Sequence, residues 1–480
     1  MINRKPQTKA RVGVFGIGLA AYWSQFEGLK PRLEGYQQEV ETNLAHAGGE
    51  VISAGLVDDA PAAQKASDLF ARSDVDLLVC YVGTYATSST VLPVVQRARV
   101  PVLVLNLQPT AALDYENTDT GEWLANCCAC CVPELSNAFA RSQIQFNVVS
   151  GMLFNDTRAW GQIRDWVQAA SVKRTLERSR IGFLGHTYPG MLDMYSDFTM
   201  VHAQTGAHVE VLEMDDLEMR VNAVTSTELE AKKQEIKSVF DIAKPGRDKI
   251  SQPVTDESFD WSARVACGLD QLVTDFDLDG LTYYYRGLNG NLLEQLGAGV
   301  IVGNSLLTAR GVPASGEGDL KTCLAMKVMD ALGAGGSYTE FYAMDFSENF
   351  ILMGHDGPGH VAISDDRPVL RGLGLYHGKR GYGISVEFSV KHGSVTILGV
   401  TQTAQGKLKL LVAQGESIPG ARLQIGNTNS RLRFGLDPAA FMDAWCSEGP
   451  THHVALGIGH QTEKLKKFAR LMNLELVVIG

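Results

Sequence analysis

The chain has 480 residues, of which 45% are hydrophobic and 20% charged, with a formal net charge of −11. That length predicts two to four domains at about 100–200 residues each, and the composition permits a sizeable core. The acidic balance argues against a nucleic-acid binder, which carries a basic face, and no apolar run approaches the roughly 18 residues that signal a membrane span.

The basic start "MINRKPQTKA" runs into a short, glycine-broken strand rather than the apolar core of a secretory leader, so the expected location is the cytoplasm. Strand-like runs follow at "ARVGVFGI", "EVISAGLV", "VDLLVCYV", "VPVLVLNL" and "SQIQFNVVSG", with helical stretches between them, notably "GLKPRLEGYQQEVETNLAHAG" and "SSTVLPVVQRARV". This alternation predicts a parallel sheet wrapped by helices, with any site at the carboxyl ends of its strands. "TGEWLANCCACCVPELSNAFARS" reads as one helix from Thr120. Its cysteines 127, 128, 130 and 131 lack the spacing of zinc thiolates and read as small buried residues in a reducing compartment.

A second α/β unit begins at "SRIGFLGHTYPGMLDMYSDF", with "AHVEVLEM" as its next strand and Thr227 and Glu230 at capping-box spacing before a charged helix. After residue 330 the texture changes. "RGYGISVEFSVKHGSVTILGVTQTAQGKLKLLVAQGESIPG" is rich in β-branched residues and closely spaced turns, which predicts an antiparallel sheet or small barrel. The expected fold is therefore two parallel-sheet α/β domains, 1–175 and 176–330, followed by a β-rich, barrel-like domain, 331–480.

The turn after the first strand carries most of a dinucleotide fingerprint, with Gly16, Gly18 and Ala21 in place. The acid that should follow about 20 residues on comes much later, at Asp58, and Tyr22 and Trp23 crowd the position where a pyrophosphate would approach. An NAD-dependent oxidoreductase is accordingly the weaker reading.

The more specific signal lies downstream. Glu317 stands in "GVPASGEGDLKT" and Glu340 in "GGSYTEFYAMDF"; His355 and His360 bracket "HDGPGH", and His452 and His453 are adjacent in "GPTHHVALGIGH". Two carboxylates and two imidazoles suit Mn²⁺ or a similar divalent ion, with coordination left for substrate oxygens.

In order, "ASGEGDLKT", "YTEFYAMDF", "LMGH" and "AWCSEGPTHH" resemble the L-arabinose isomerase family, related more distantly to L-fucose isomerases. The likeness runs from the first strand to the terminal "FARLMNLELVVIG". It implies aldose–ketose isomerisation with one divalent metal, most commonly Mn²⁺, and homo-oligomers, trimers or hexamers, with sites near subunit interfaces. Glu317, Glu340, His355 and His453 match the family's metal ligands, and the two glutamates match its acid and base. Such a reaction removes a proton beside a carbonyl through an enediol, which needs a proton-transfer group on each side of the carbon pair.

Two stretches depart from arabinose isomerases: "GIGLAAYW" replaces a "GSQ-H-YG" pattern, and "HDGPGH" replaces an acidic run containing cysteine and proline. These departures point to a sugar related to but distinct from L-arabinose, and the lack of a P-loop-type phosphate motif favours a free one. Tyr22, Trp23 and Gln25 become candidate pocket walls, joined by His452, His360, His186, Tyr188 and Met191, while Glu122 and Trp123 are placed to reach a neighbouring subunit's site. The alternative within the same scaffold is a sugar-binding or regulatory protein without catalysis.

Overall fold

The computed structural model describes residues 4–244, 248–286, 290–373 and 383–480. Contacts divide the chain into two compact units, Thr8–Arg174 and Thr175–Gly480, the second including the initial Met1–Gln7.

In the first unit the expected apolar runs form five parallel strands in the order Glu50–Val57, Arg11–Ile17, Leu77–Val82, Val102–Gln108, Phe146–Met152. Strands buried on both faces can be apolar throughout, as Leu77–Val82 is. Phe15, Ile17, Leu78, Val82 and Val104 pack against Phe70, Val91, Leu135 and Phe139 of the covering helices. The strand order reverses beside Arg11–Ile17, so the Gly16–Gly18 turn occupies the usual ligand crevice of such sheets.

That turn is already filled. A Cβ on Gly16 would lie 2.5 Å from Oε1 of Gln37, and one on Gly18 would lie 2.9 Å from the Trp23 indole. Asp58 accepts hydrogen bonds from Trp23 Nε1 at 2.7 Å and Lys30 Nζ at 3.1 Å, which occupies the acid of the dinucleotide pattern. Asp59 caps the next helix through Ala62 N–H.

One expectation fails here. The helix from Thr120 stops at Ala125 and a second runs Val132–Arg141, with the four cysteines in the turn between them. Pro133 sits in the first turn of the second helix, where proline suits an N-terminus and cannot continue an earlier helix.

The second unit contains a four-stranded parallel sheet, ordered Ala314–Ser315, Gly280–Tyr284, Arg180–Gly185, His208–Leu212. The capping box of its charged helix is shifted by two residues from the expected pair. Thr225 accepts from Glu228 N–H, and Glu228 accepts from Thr225 N–H at 2.9 Å; "TSTELE" offers both frames, and the earlier threonine holds the extended backbone of an N-cap.

Beyond it, six antiparallel strands close on themselves in the order Gly393–Gln402, His453–Ile458, Gly335–Asp345, Phe350–His355, Thr428–Phe434, Leu408–Ile418. Closure leaves no unpaired edge among these six. Residues 380–382 of the expected β-rich run lie outside the described residues. The helix Leu292–Ala309 is long and apolar enough to cross a membrane by length and composition, and 61% of it is buried inside the fold.

Candidate active site

Three barrel strands and one tight turn bring the predicted residues together. Glu340, on Gly335–Asp345, pairs directly with His453 on one neighbouring strand and with Gly354 on the other. His355 follows Gly354, and its Nε2 lies 3.1 Å from Nε2 of His453. Glu317 arrives from the carboxyl end of Ala314–Ser315, between that strand and the helix Leu320–Ala331. Glu317, His355 and His453 each present a ligand atom within 4.8 Å of the others, and so do Glu340, His452 and His453.

The turn that delivers Glu317 is strained. Its backbone has φ of +62°, a left-handed conformation that costs a residue bearing Cβ. Gly318 follows at φ +71°, and a Cβ there would lie 2.5 Å from the carbonyl oxygen of His186. Tyr188 N–H donates to the Glu317 carbonyl at 2.9 Å, so the 186–188 loop and the glutamate turn lock together. The Glu317 side chain is nearly buried, and its Oε2 has no hydrogen-bond partner, with Nε2 of His453 and His452 at 3.9 and 4.0 Å.

His453 is held by groups that sequence reasoning did not single out. The fully buried Asp319 carboxylate caps the helix Leu320–Ala331 through Thr322 N–H and accepts Nδ1–H of His453 at 3.0 Å. That contact fixes the tautomer and leaves Nε2 facing the cluster. Burial would raise the Asp319 carboxyl, but His453 and Thr322 outweigh it and hold it below the ordinary carboxylate range. Tyr338, fully buried, places its hydroxyl 2.7 Å from Nδ1 of His453. Gly357 N–H donates to Nδ1 of His355 at 2.8 Å, and Asp356 Oδ1 lies 3.4 Å from the same nitrogen.

His452 has its own carboxylate. Asp193, in the short helix Leu192–Met194, accepts from His452 N–H at 3.0 Å and from its Nδ1 at 2.6 Å. Burial opposes both charges, yet the contact wins: the Asp193 carboxyl falls to about 2 and the imidazole rises above its ordinary value. For Glu340, burial dominates and raises the carboxyl despite the nearby imidazoles. The site thus holds one carboxyl shifted upward, Glu340, and two shifted downward, Asp319 and Asp193.

The remaining candidates are placed as follows. His186 stacks edge-on to Tyr284 with centroids 5.0 Å apart, Tyr188 packs on the same ring at 4.6 Å, and Met191 leads into the helix carrying Asp193. His360 is buried outside the cluster, 3.8 Å from Asp330, at the far end of the helix that Asp319 caps. Tyr22, Trp23, Gln25, Glu122 and Trp123 belong to the Thr8–Arg174 unit, where Glu122 pairs with Arg32 and Gln25 bonds the Ala21 carbonyl. Asp319 was visible in "GEGDLKT" as an acid at N-cap spacing from Thr322; Asp193 carries no sequence signal linking it to a histidine 259 positions on.

Carboxylates and imidazoles gather here, one carboxyl raised and His452 and His453 oriented by acids, a side-chain set of the kind that moves protons in enzymes. Comparison with known proteins narrows the class. The family model for the L-arabinose isomerase central domain matches residues 196–335, and that for the L-arabinose isomerase C-terminal domain matches 335–475. The chain is 23% identical over 412 residues to the L-arabinose isomerase of Aeromonas salmonicida. It is 25% identical over 414 residues to that of Acidothermus cellulolyticus, each match covering 84% of this chain and 80% of the relative. The chain belongs to the L-arabinose isomerase family, whose members are aldose–ketose isomerases.

Proposed function

We propose that this protein is a metal-dependent isomerase that interconverts an aldose and a ketose through an enediol, acting on a free sugar other than L-arabinose. The observation that carries the reading is the convergence of Glu317, His355 and His453, joined through His453 to Glu340 and His452. The donor set fits a divalent ion of the Mn²⁺ type: carboxylate and imidazole donors suit it, and the unpartnered Oε2 of Glu317 is a buried acceptor lacking its donor. Glu317, Glu340, His355 and His453 would hold the ion.

When bound, the metal polarises the substrate's carbonyl and hydroxyl oxygens. The protein's side chains do the rest. Glu340, raised by burial, and Glu317 take and return the proton at the two carbons. Asp319 holds the His453 ring in its ligating tautomer. His452, fixed by Asp193, is aimed at Glu317 and the substrate hydroxyls. Altered recognition is supported by Asp356 beside His355, in a stretch that differs from the arabinose-isomerase pattern. The same resemblance supports a cytoplasmic homo-oligomer.

A panel of aldoses and ketoses, including deoxy sugars, assayed with Mn²⁺ and with chelator, tests the reading. Metal-dependent turnover of a sugar in preference to L-arabinose, lost in Glu340→Gln, is expected. Equal turnover after exhaustive chelation refutes the metal, and preference for L-arabinose refutes the altered substrate.

A further inference from the structure

The four clustered cysteines separate into two pairs by the partners of their sulfurs. Cys128 and Cys131 are part of the core of the first unit; their thiols point to backbone carbonyls, Cys128 Sγ to Leu107 O at 3.4 Å and Cys131 Sγ to Thr84 O at 3.8 Å. Cys127 and Cys130 face each other instead, with Sγ atoms 2.7 Å apart. Cys127 is buried and Cys130 is exposed. Among the described residues, no group of side chains with converging ligand atoms includes a cysteine, so the four sulfurs do not form a metal site. The turn itself is braced: Asn126 bonds Glu122 Oε1 at 3.0 Å and Thr110 Oγ1 at 2.6 Å, which holds the two facing cysteines in register.

We propose that Cys127 and Cys130 are a reversible dithiol–disulfide couple whose oxidant is a low-molecular-weight disulfide. The exposed Cys130 gives up its proton and attacks one sulfur of the oxidant, forming a mixed disulfide and releasing one thiolate, which takes up a proton as free thiol. Cys127 then loses its proton and attacks Cys130 Sγ, breaking the mixed disulfide and expelling the second thiol. Two electrons leave the protein, one disulfide bond forms within it, and one oxidant becomes two thiols. The order follows from access, and the chemistry agrees: burial and the adjacent thiol push Cys127 up to about 12, so it is the poorer first nucleophile.

The test uses the full-length protein, equilibrated without oxygen in graded mixtures of oxidised and reduced glutathione, then alkylated and mapped by peptide mass spectrometry. The peptide spanning residues 127–131 is expected to lose two alkylatable thiols and the mass of two hydrogens, with no glutathione attached, and dithiothreitol should restore it. Cys127→Ser should trap glutathione on Cys130, and Cys130→Ser should leave Cys127 reduced. The exposed Cys446 serves as an internal reference for simple glutathione addition. Stable glutathione on wild-type Cys130, at the same redox ratio as on Cys446, overturns the proposal. So does a disulfide that forms undiminished in Cys130→Ser.

Discussion

Replacing Glu317 with glycine should abolish turnover and, with metal removed, make the protein more stable. The residue sits at φ +62°, where a side chain costs about 1–2 kcal/mol relative to glycine. Its Oε2 is buried without a hydrogen-bond partner, a penalty of about 1–3 kcal/mol. Against these gains stand about 0.4–1 kcal/mol of extra unfolded-chain entropy for glycine and about 0.8 kcal/mol for each buried methylene removed. The net is a stabilisation of about 1 kcal/mol, measurable by urea unfolding in chelator at matched protein concentration. Saturating Mn²⁺ should invert the order, because wild type gains about 2.7 kcal/mol at a hundredfold excess over Kd while the variant loses a ligand. A variant that is clearly less stable than wild type in chelator would refute the argument, since the turn would then be held for packing rather than for chemistry.

Three further outcomes follow from the same geometry. Asp319→Asn should weaken Mn²⁺ binding by about 10–100-fold, or about 1.4–2.8 kcal/mol, because His453 loses the acceptor that fixes its tautomer; equilibrium dialysis giving wild-type affinity would count against the assigned role. Gly318→Ala should cost about 2–4 kcal/mol and most of the activity, since its methyl meets the His186 carbonyl at 2.5 Å in a left-handed backbone; an unchanged melting temperature would contradict this. Glu235 is opposed by burial but held below its ordinary value of 4.5 by Lys232 and Arg310. Its folded value is depressed, so its contribution is present above about pH 4.5 and disappears as the pH falls through the folded value. Glu235→Gln should therefore cost about 1–2 kcal/mol at pH 7 and progressively less below pH 4.5. A loss independent of pH in urea titrations would show that the pair contributes through packing.

The strands of the first parallel sheet, Arg180–Gly185 and His208–Leu212 of the second, and Gly393–Gln402 and Leu408–Ile418 of the barrel were legible because burial imposes apolar runs that turns interrupt. Arg11–Ile17, Glu50–Val57 and Leu77–Val82 fall where their residues predict. The helix from Thr120 was misread because "LANCCACC" has no residue that forbids helix until Pro133, and proline marks a start as readily as a stop. Glu317, Glu340, His355 and His453, which the fold brings into one cluster, were visible as acids and imidazoles among glycines. Their carboxylate partners were not: Asp193 reaches His452 only through the fold of the loop after Arg180–Gly185, and residue type alone says nothing of that distance. His360 shows the converse, a histidine close in sequence to His355 that the chain carries to the opposite end of a helix.

The origin of each group explains why the two halves of the site can vary separately. Glu340, His355 and His453 stand on adjacent strands of a closed sheet, where the register fixes their spacing. Glu317 and Asp193 come from turns at the carboxyl ends of the parallel sheet, the part of such folds where loops change without disturbing the strands. Substitutions in the 186–193 loop act on His452 through Asp193 and reach Glu317 through Tyr188 N–H, while the barrel strands keep their positions. Changes confined to Asp193 and its contact with His452 should redirect sugar preference while sparing metal affinity, whereas changes at Tyr188 or in the barrel strands should reduce both together.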